Sequence, residues 1–381
     1  MYFNVFYLRP HDTRSRNSNH HHEQLMDLPS LRSSSGSRRL SSGSGGGGGG
    51  GGASASSSTM VVETMTTTTD STVGHDECFV AGRGMTRYRL PTQTFSEANV
   101  DAPALVVGVL SRRLKDRTAV RQTWAVGHSN VFFLVAGNWT TQLEQEFQQH
   151  KDILYVEGPE AYREITTKVL VFLSAVNKYL PHATILKTDD DAYVRLAEME
   201  RIAKERNGQT LYMGASCDRI ATVVRRRESD WYVSKEMYPD ETFPRYALGG
   251  GYLLSSDANQ CAMEQMQKLD HAQGVFPVED ALMGILLSKC PNVQCENSLR
   301  FRTASKDPIP KKYPADIKKN YIVHQIKQHD MMLQMHQEAC CNTENKKRIK
   351  DPLSCAALSC PANYMAERIS RPKKTNSEMY S

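Results

Sequence analysis

Ala183-Thr184-Ile185-Leu186-Lys187-Thr188-Asp189-Asp190-Asp191 is the stretch on which the reading of this chain turns. An apolar strand runs from Ala183 to Lys187 and leads straight into three acids, and Ala192-Tyr193-Val194 then returns to apolar character. Three carboxylates this close raise one another's pKa unless a cation sits among them. Their hard oxygens suit Mg²⁺ or Mn²⁺. On an extended strand Asp189 and Asp191 share one face while Asp190 points the other way, toward a ribose hydroxyl in a nucleotide site. By itself such a triplet is usually a solvated acidic turn. Its position at a strand end favours the metal.

Outward from this strand, apolar runs of strand length alternate with amphipathic stretches. Ala104–Leu110, Val131–Ala136 and Ile153–Val156 read as strands, and Arg113–Trp124 and Thr140–His150 as the helices between them. Glu160–Leu180 is the clearest helix: Tyr162, Ile165, Val169, Leu173, Val176 and Leu180 recur at three- and four-residue spacing, and Pro181 stops it. Helix Ala197–Arg206, strands Leu211–Ala215 and Gly251–Leu254, and helices Ala258–Leu269 and Ala281–Lys289 follow. This order predicts an α/β sandwich around a central, largely parallel sheet. In such sheets ligands bind beyond the carboxyl ends of the strands, where the acids fall.

Three further constellations carry chemistry. Glu279-Asp280 opens the last of these helices, where a carboxylate serves as helix cap or as general base. Leu248-Gly249-Gly250-Gly251-Tyr252 is a tight turn or a place where backbone approaches a ligand. It fits neither a P-loop nor a dinucleotide fingerprint. His324, in Tyr321-Ile-Val-His-Gln, reads alone as a satisfied core histidine rather than a ligand.

The flanks set the boundaries. The first part of the chain is Ser-, Gly-, Thr- and Arg-rich, with eight consecutive glycines at Gly45–Gly52 and the run His20-His21-His22. Such composition buries too little apolar surface to offset the entropy of ordering. We therefore expect a disordered low-complexity segment over 1–98, a folded domain over 99–338 and a cysteine-containing flexible tail over 339–381. The net charge of +5 forms no basic stripe with interleaved aromatics, which gives no case for nucleic acid. Arg225-Arg226-Arg227 reads as a surface face or an acceptor-side contact. Nine cysteines without any Cys-x-x-Cys pair argue against structural zinc and suit disulfides in an oxidising lumen. Asn138-Trp139-Thr140 is a glycosylation sequon. No stretch approaches the ~20 apolar residues of a bilayer span, so no membrane anchor is visible in the chain.

In order along the chain, several of these segments resemble the β-1,3-glycosyltransferases of carbohydrate-active family 31. They are Arg117-Thr-Ala-Val-Arg121-Gln-Thr-Trp124, Tyr162-Arg-Glu-Ile-Thr166-Thr-Lys168, Leu186-Lys-Thr-Asp189-Asp190-Asp191, Tyr246-Ala-Leu-Gly-Gly-Gly-Tyr252, Glu279-Asp280-Ala-Leu-Met-Gly284 and Tyr321-Ile-Val-His324-Gln-Ile-Lys327. The resemblance implies a GT-A fold, a UDP-sugar donor, Mn²⁺ or Mg²⁺, a glycan acceptor on protein or proteoglycan, and a lumenal Golgi enzyme. It implies that Asp191, Asp189 and His324 hold the metal and that Asp280 is the general base. Asp189, Asp190, Arg117, Arg121 and Lys187 would contact the donor nucleotide, and Gly249, Gly250, Gly251 and Glu279 the sugar substrates. Galactose transfer is the leading expectation. N-acetylglucosamine transfer is the alternative, and a non-catalytic sugar-binding protein on the same fold is a rival of another class. A metal phosphohydrolase would need further His/Asp clusters, which the sequence lacks.

Overall fold

The computed structural model describes residues 73–91, 95, 103–269, 272–303 and 317–340. The expectations for residues 1–72, including the histidine and glycine runs, and for 341–381 lie outside the described residues. In chain order the strands and helices are β1 (Val73–Val80), β2 (Gly84–Pro91), β3 (Leu105–Leu110), α1 (Leu114–Arg121), β4 (Val131–Val135), α2 (Thr141–His150), β5 (Ile153–Val156), α3 (Ile165–Tyr179) and β6 (Thr184–Asp189). They continue as β7 (Tyr193–Val194), α4 (Leu196–Glu205), β8 (Tyr212–Gly214), β9 (Gly251–Leu254), α5 (Ser256–Met266), α6 (Glu279–Leu287), β10 (Cys295–Asn297), β11 (Phe301–Arg302), β12 (Ile322–Val323) and α7 (His329–Cys340).

Among the described residues the main sheet has the order β1-β2-β5-β4-β3-β6-β9-β8-β10. The expected α/β sandwich is observed. Its four central strands, β5, β4, β3 and β6, are mutually parallel. Antiparallel pairing begins on either side, with β2 on β5 and β9 on β6.

Strands β3, β4 and β5 are apolar throughout because both sheet faces are covered, as parallel sheets require. On β4, Phe132 and Leu134 turn toward α3, α5 and α6, while Val131, Phe133 and Val135 turn toward α1, α2, α4 and α7. Helix α3 lies closest to the sheet, and all of Val169–Leu173 is buried. It packs this tightly because β3 carries Gly108, where any Cβ would overlap the Phe172 ring. Helix α2 starts at Thr140, whose hydroxyl accepts from Leu143 N at 3.2 Å.

The hairpin β1–β2 falls within the segment expected to be low-complexity, so the described fold begins at Val73 rather than near residue 99. Val80, Tyr88 and Leu90 of the hairpin are buried in the core shared with α3, and an acid adds to that attachment. The Asp76 carboxylate accepts from Tyr88 Oη at 2.9 Å, Tyr179 Oη at 2.5 Å and Lys178 Nζ at 2.5 Å, tying the hairpin to the end of α3. Partial burial works against its ionisation, yet the Lys178 and tyrosine hydrogen bonds hold its pKa down at about 2. A carboxyl depressed in the folded state stabilises above its unfolded pKa and loses that contribution as pH falls through the folded value. Asp76→Asn should therefore lower unfolding free energy by about 1 kcal/mol at neutral pH, a partly exposed pair being solvent-screened. The gap from the parent in urea midpoints should close between about pH 4 and pH 2. An undiminished gap at pH 2 would rule this linkage out.

Candidate active site

The site forms where β6 leaves the sheet. Its pairing with β3 places Asp189 level with Leu110, and Asp190 N donates to Leu110 O at 3.0 Å. The chain turns, Ala192 N donating to Asp189 O, and re-enters as β7 alongside β12. That short ladder brings His324 to the acids, although it lies more than 130 residues later in the chain. Ile326 N donates to Asp191 O at 2.7 Å, and Gln325 takes φ +70° to make the turn.

His324 Nε2 lies 2.9 Å from Asp191 Oδ1 and 3.2 Å from Asp189 Oδ2. One ligand atom from each of Asp189, Asp191 and His324 lies within 4.8 Å of the others, a set of two hard oxygens and one imidazole nitrogen that fits Mn²⁺ or Mg²⁺. His324 is therefore a partner of the acids and not an isolated core histidine. Burial alone would lower its pKa, but the two carboxylates push it up to about 10. Asp189 goes well below the usual carboxylate range: Lys187 and His324 overcome the penalty of its burial. Asp190 is turned aside, accepting from Ser111 Oγ at 2.7 Å, and burial raises it to about 6.

Glu279-Asp280 stands across the same cavity. Asp280 Oδ2 accepts from Gly249 N at 2.9 Å and Oδ1 from Ala281 N at 2.9 Å. The carboxylate thus faces the glycine turn in addition to the start of α6. Its pKa is raised by burial, against the pull of Gly249 N–H and Lys187. Glu279 is buried and raised for the same leading reason; it accepts from Tyr252 Oη at 2.7 Å and lies 3.4 Å from Lys187 Nζ. Lys187 is the centre of this arrangement. Its buried ammonium is 2.9 Å from Asp189 Oδ1, reaches Glu279, and donates to Gly249 O. It therefore touches both the cation set and the turn that holds Asp280.

The glycines divide. Gly249 and Gly250 line a cavity of about 780 Å³ together with Asp189–Asp191, Lys187, Glu279, Asp280 and His324. Gly251 does not line it; as the first residue of β9 it pairs with Thr188, beneath Ile322. A Cβ on Gly250 would sit 2.5 Å from His324 Nδ1 and 3.0 Å from Thr303 Cβ. Gly250→Ala should displace the His324 ring and weaken Mn²⁺ binding roughly ten-fold or more, a loss of the size seen when a metal ligand's support is removed. Isothermal titration with Mn²⁺ reads this, and parent-like affinity would refute it.

Arg117 and Arg121 need correction, because neither lines the cavity. Arg117 is buried and makes a bidentate pair with Glu146 at 2.7 and 2.5 Å; Arg121 bridges Glu146 and Asp152 at 2.7 Å each. These pairs lock α1 to α2. Guanidiniums already committed to two carboxylates leave little for a phosphate. Arg117 reaches the site only through Ser111 Oγ, 3.4 Å away, which in turn holds Asp190.

Several lining residues were not singled out from sequence as site residues. Ser111 and Arg112 follow β3, and Lys168 pairs with Glu160 at 2.8 Å. Tyr162 was counted into the apolar stripe of the long helix. It instead sits on a separate 3-10 turn and is 48% exposed. Trp231 comes from the long connection between β8 and β9, where no periodicity points to it. Two disulfides restrain that side of the molecule: Cys217–Cys295 joins the connection to β10, and Cys261–Cys290 joins α5 to the end of α6. Among the described cysteines Cys78 is unpaired. No helix among the described residues is long and apolar enough to cross a membrane.

Residues 115–297 match the family profile described as Galactosyltransferase. The chain is 27% identical over 207 residues to Beta-1,3-galactosyltransferase 5 of Pan troglodytes, covering 51% of this chain and 68% of that one. It is 32% identical over 220 residues to Beta-1,3-galactosyltransferase 4 of Mus musculus, covering 48% and 58%. A solved glycosyltransferase, GlyE of Streptococcus pneumoniae TIGR4, aligns at 10% identity with TM-score 0.35, over 72% of this chain and 66% of that one.

Proposed function

We propose, from the premise that the chain belongs through residues 115–297 to the galactosyltransferase family, that it is an inverting, cation-dependent β-1,3-galactosyltransferase. Its donor is UDP-galactose and its acceptor a glycan carried on protein or proteoglycan. The observation that carries this reading is the division of labour within one cavity. A cation-ligating set (Asp189, Asp191, His324) and a separate carboxylate outside it, Asp280, line the same space.

Single displacement needs both. The acceptor hydroxyl oxygen bonds to the anomeric carbon as the bond from that carbon to the UDP oxygen breaks, and the electron pair leaves with UDP. Asp280 takes the proton from the attacking hydroxyl; burial, by raising its pKa, makes it a better base than an ordinary aspartate. Asp189, Asp191 and His324 would hold Mn²⁺ or Mg²⁺, which supplies positive charge against the departing pyrophosphate. Asp190, oriented by Ser111, is placed for a ribose hydroxyl. Lys187 keeps Gly249 and Asp189 in fixed relation, so that the base and the leaving-group side stay aligned. Two disulfides among the described residues favour an oxidising compartment, in keeping with a lumenal Golgi enzyme.

The full chain, incubated with UDP-galactose, Mn²⁺ and a panel of nitrophenyl glycosides, should release UDP only when an acceptor is present. The product should carry a β-linkage by NMR. UDP-N-acetylglucosamine in place of UDP-galactose should give far slower release, and the reverse preference would replace the donor assignment. UDP binding without acceptor-dependent release from any pair would sink the transferase reading.

A further inference from the structure

We infer that Tyr162 and Trp231 form a platform on which the acceptor sugar lies by the apolar C–H face of its ring, an inference that rests on the transferase reading above. Among the described residues, four large hydrophobic side chains stand out as exposed: Met85, Tyr162, Ile220 and Leu299. Of these, Tyr162 alone lines the cavity. An aromatic ring left 48% open inside a cleft gives up apolar burial, and a pocket that binds a ligand recovers it.

The two rings are a built pair. Trp231 Nε1 donates to Tyr162 Oη at 2.9 Å, so the indole N–H is satisfied by the other ring. They come from separate parts of the chain, and both are held. Tyr162 belongs to the rigid turn that starts α3. Trp231 sits in a connection pinned by Arg225, whose guanidinium donates to the carbonyls of Val233, Ser234 and Asp240, and by the bridge Val224↔Tyr232.

The apolar wall of that connection belongs to the base's side of the cavity. Val223, Val233 and Phe243 pack with Ala281 and Ile285 of α6, the helix that begins with Glu279-Asp280. A nucleotide held by the cation set leaves the aromatic pair to the second substrate, whose hydroxyl must reach Asp280. Pyranose rings carry C–H bonds clustered on one face, which stack on aromatic rings while their hydroxyls stay available at the rim.

Two measurements on the full chain test this. Tyr162→Ala and Trp231→Ala should each raise the acceptor KM ten-fold or more, leaving the donor KM and UDP affinity within two-fold. Tyr162→Phe, which keeps the ring, should stay within about three-fold of the parent. Of the three tryptophans, Trp124 is buried and Trp139 packs on Phe147 and Tyr155, so Trp231 is the cavity's reporter. Adding methyl β-galactoside to the chain with UDP and Mn²⁺ should shift tryptophan emission, and Trp231→Phe should abolish the shift. A parallel loss of UDP affinity would assign the rings to the donor, and an unchanged acceptor KM or emission would remove the platform. The emission arm reads binding even if the parent turns over no acceptor, so failure of catalysis and failure of the platform are distinguishable.

Discussion

Asp280→Asn should lower kcat by roughly 10²–10⁴-fold while leaving UDP affinity close to the parent's, the range expected for removing a general base. Asparagine keeps the shape, but its single amide oxygen can replace only one of the two carboxylate oxygens that accept from Gly249 N and Ala281 N, so a modest loss of stability accompanies the loss of the base. What it lacks is a lone pair basic enough to take the acceptor's proton. The pH profile gives the sharper test. Asp280 must be ionised to act, and burial raises its pKa, so parent kcat should climb with pH through a value above the ordinary carboxylate range. The residual rate of the variant should not show that limb. If the limb persists in Asp280→Asn, another group is the base.

Asp191→Ala should be comparably damaging for a different reason. It removes one of three ligands and leaves His324 and Asp189 too few to hold a divalent ion, so Mn²⁺ affinity should fall by roughly two orders of magnitude or more. UDP binding should then become insensitive to Mn²⁺, and calorimetry with and without the metal reads this directly. EDTA should reproduce the loss in the parent chain. Transfer that survives in both Asp191→Ala and EDTA would show that the acids serve another purpose. In Asp191→Ala the base is intact, whereas Asp280→Asn keeps its metal response. The two variants should therefore fail in separable ways.

Much of this was legible in the sequence, and the reasons are physical. Strands β3, β4 and β5 are continuous apolar runs because both faces of the sheet are covered, and such runs are hard to mistake. Asp189–Asp191 announced themselves because charge at a strand end demands a partner. Gly249, Gly250 and Asp280 lay where their motif placed them. The hairpin β1–β2 escapes the sequence reading because its buried residues, Val80, Tyr88 and Leu90, are interleaved with polar ones directly after a Ser-, Gly- and Thr-rich run whose composition dominates. Arg117 and Arg121 were misplaced because sequence shows a cation but hides its counter-ions, here Glu146 and Asp152. Tyr162 was absorbed into a helical stripe, since periodicity counts an aromatic ring as core whether or not anything covers it. Trp231 had no signal, because it lies in a long connection whose shape is set by Arg225 and the Cys217–Cys295 bridge.

The buried ammonium of Lys187 has a consequence for how such an enzyme could diversify. Because one side chain gauges the spacing between the leaving-group side and the base, that spacing is gauged from β6, while the connection 217–246 packs on α6 through Val223, Val233 and Phe243. The chemistry is thus a fixed chassis, and the connection is an exchangeable fitting. Grafting a different connection between the same anchor points should retarget the acceptor without rebuilding the reaction centre.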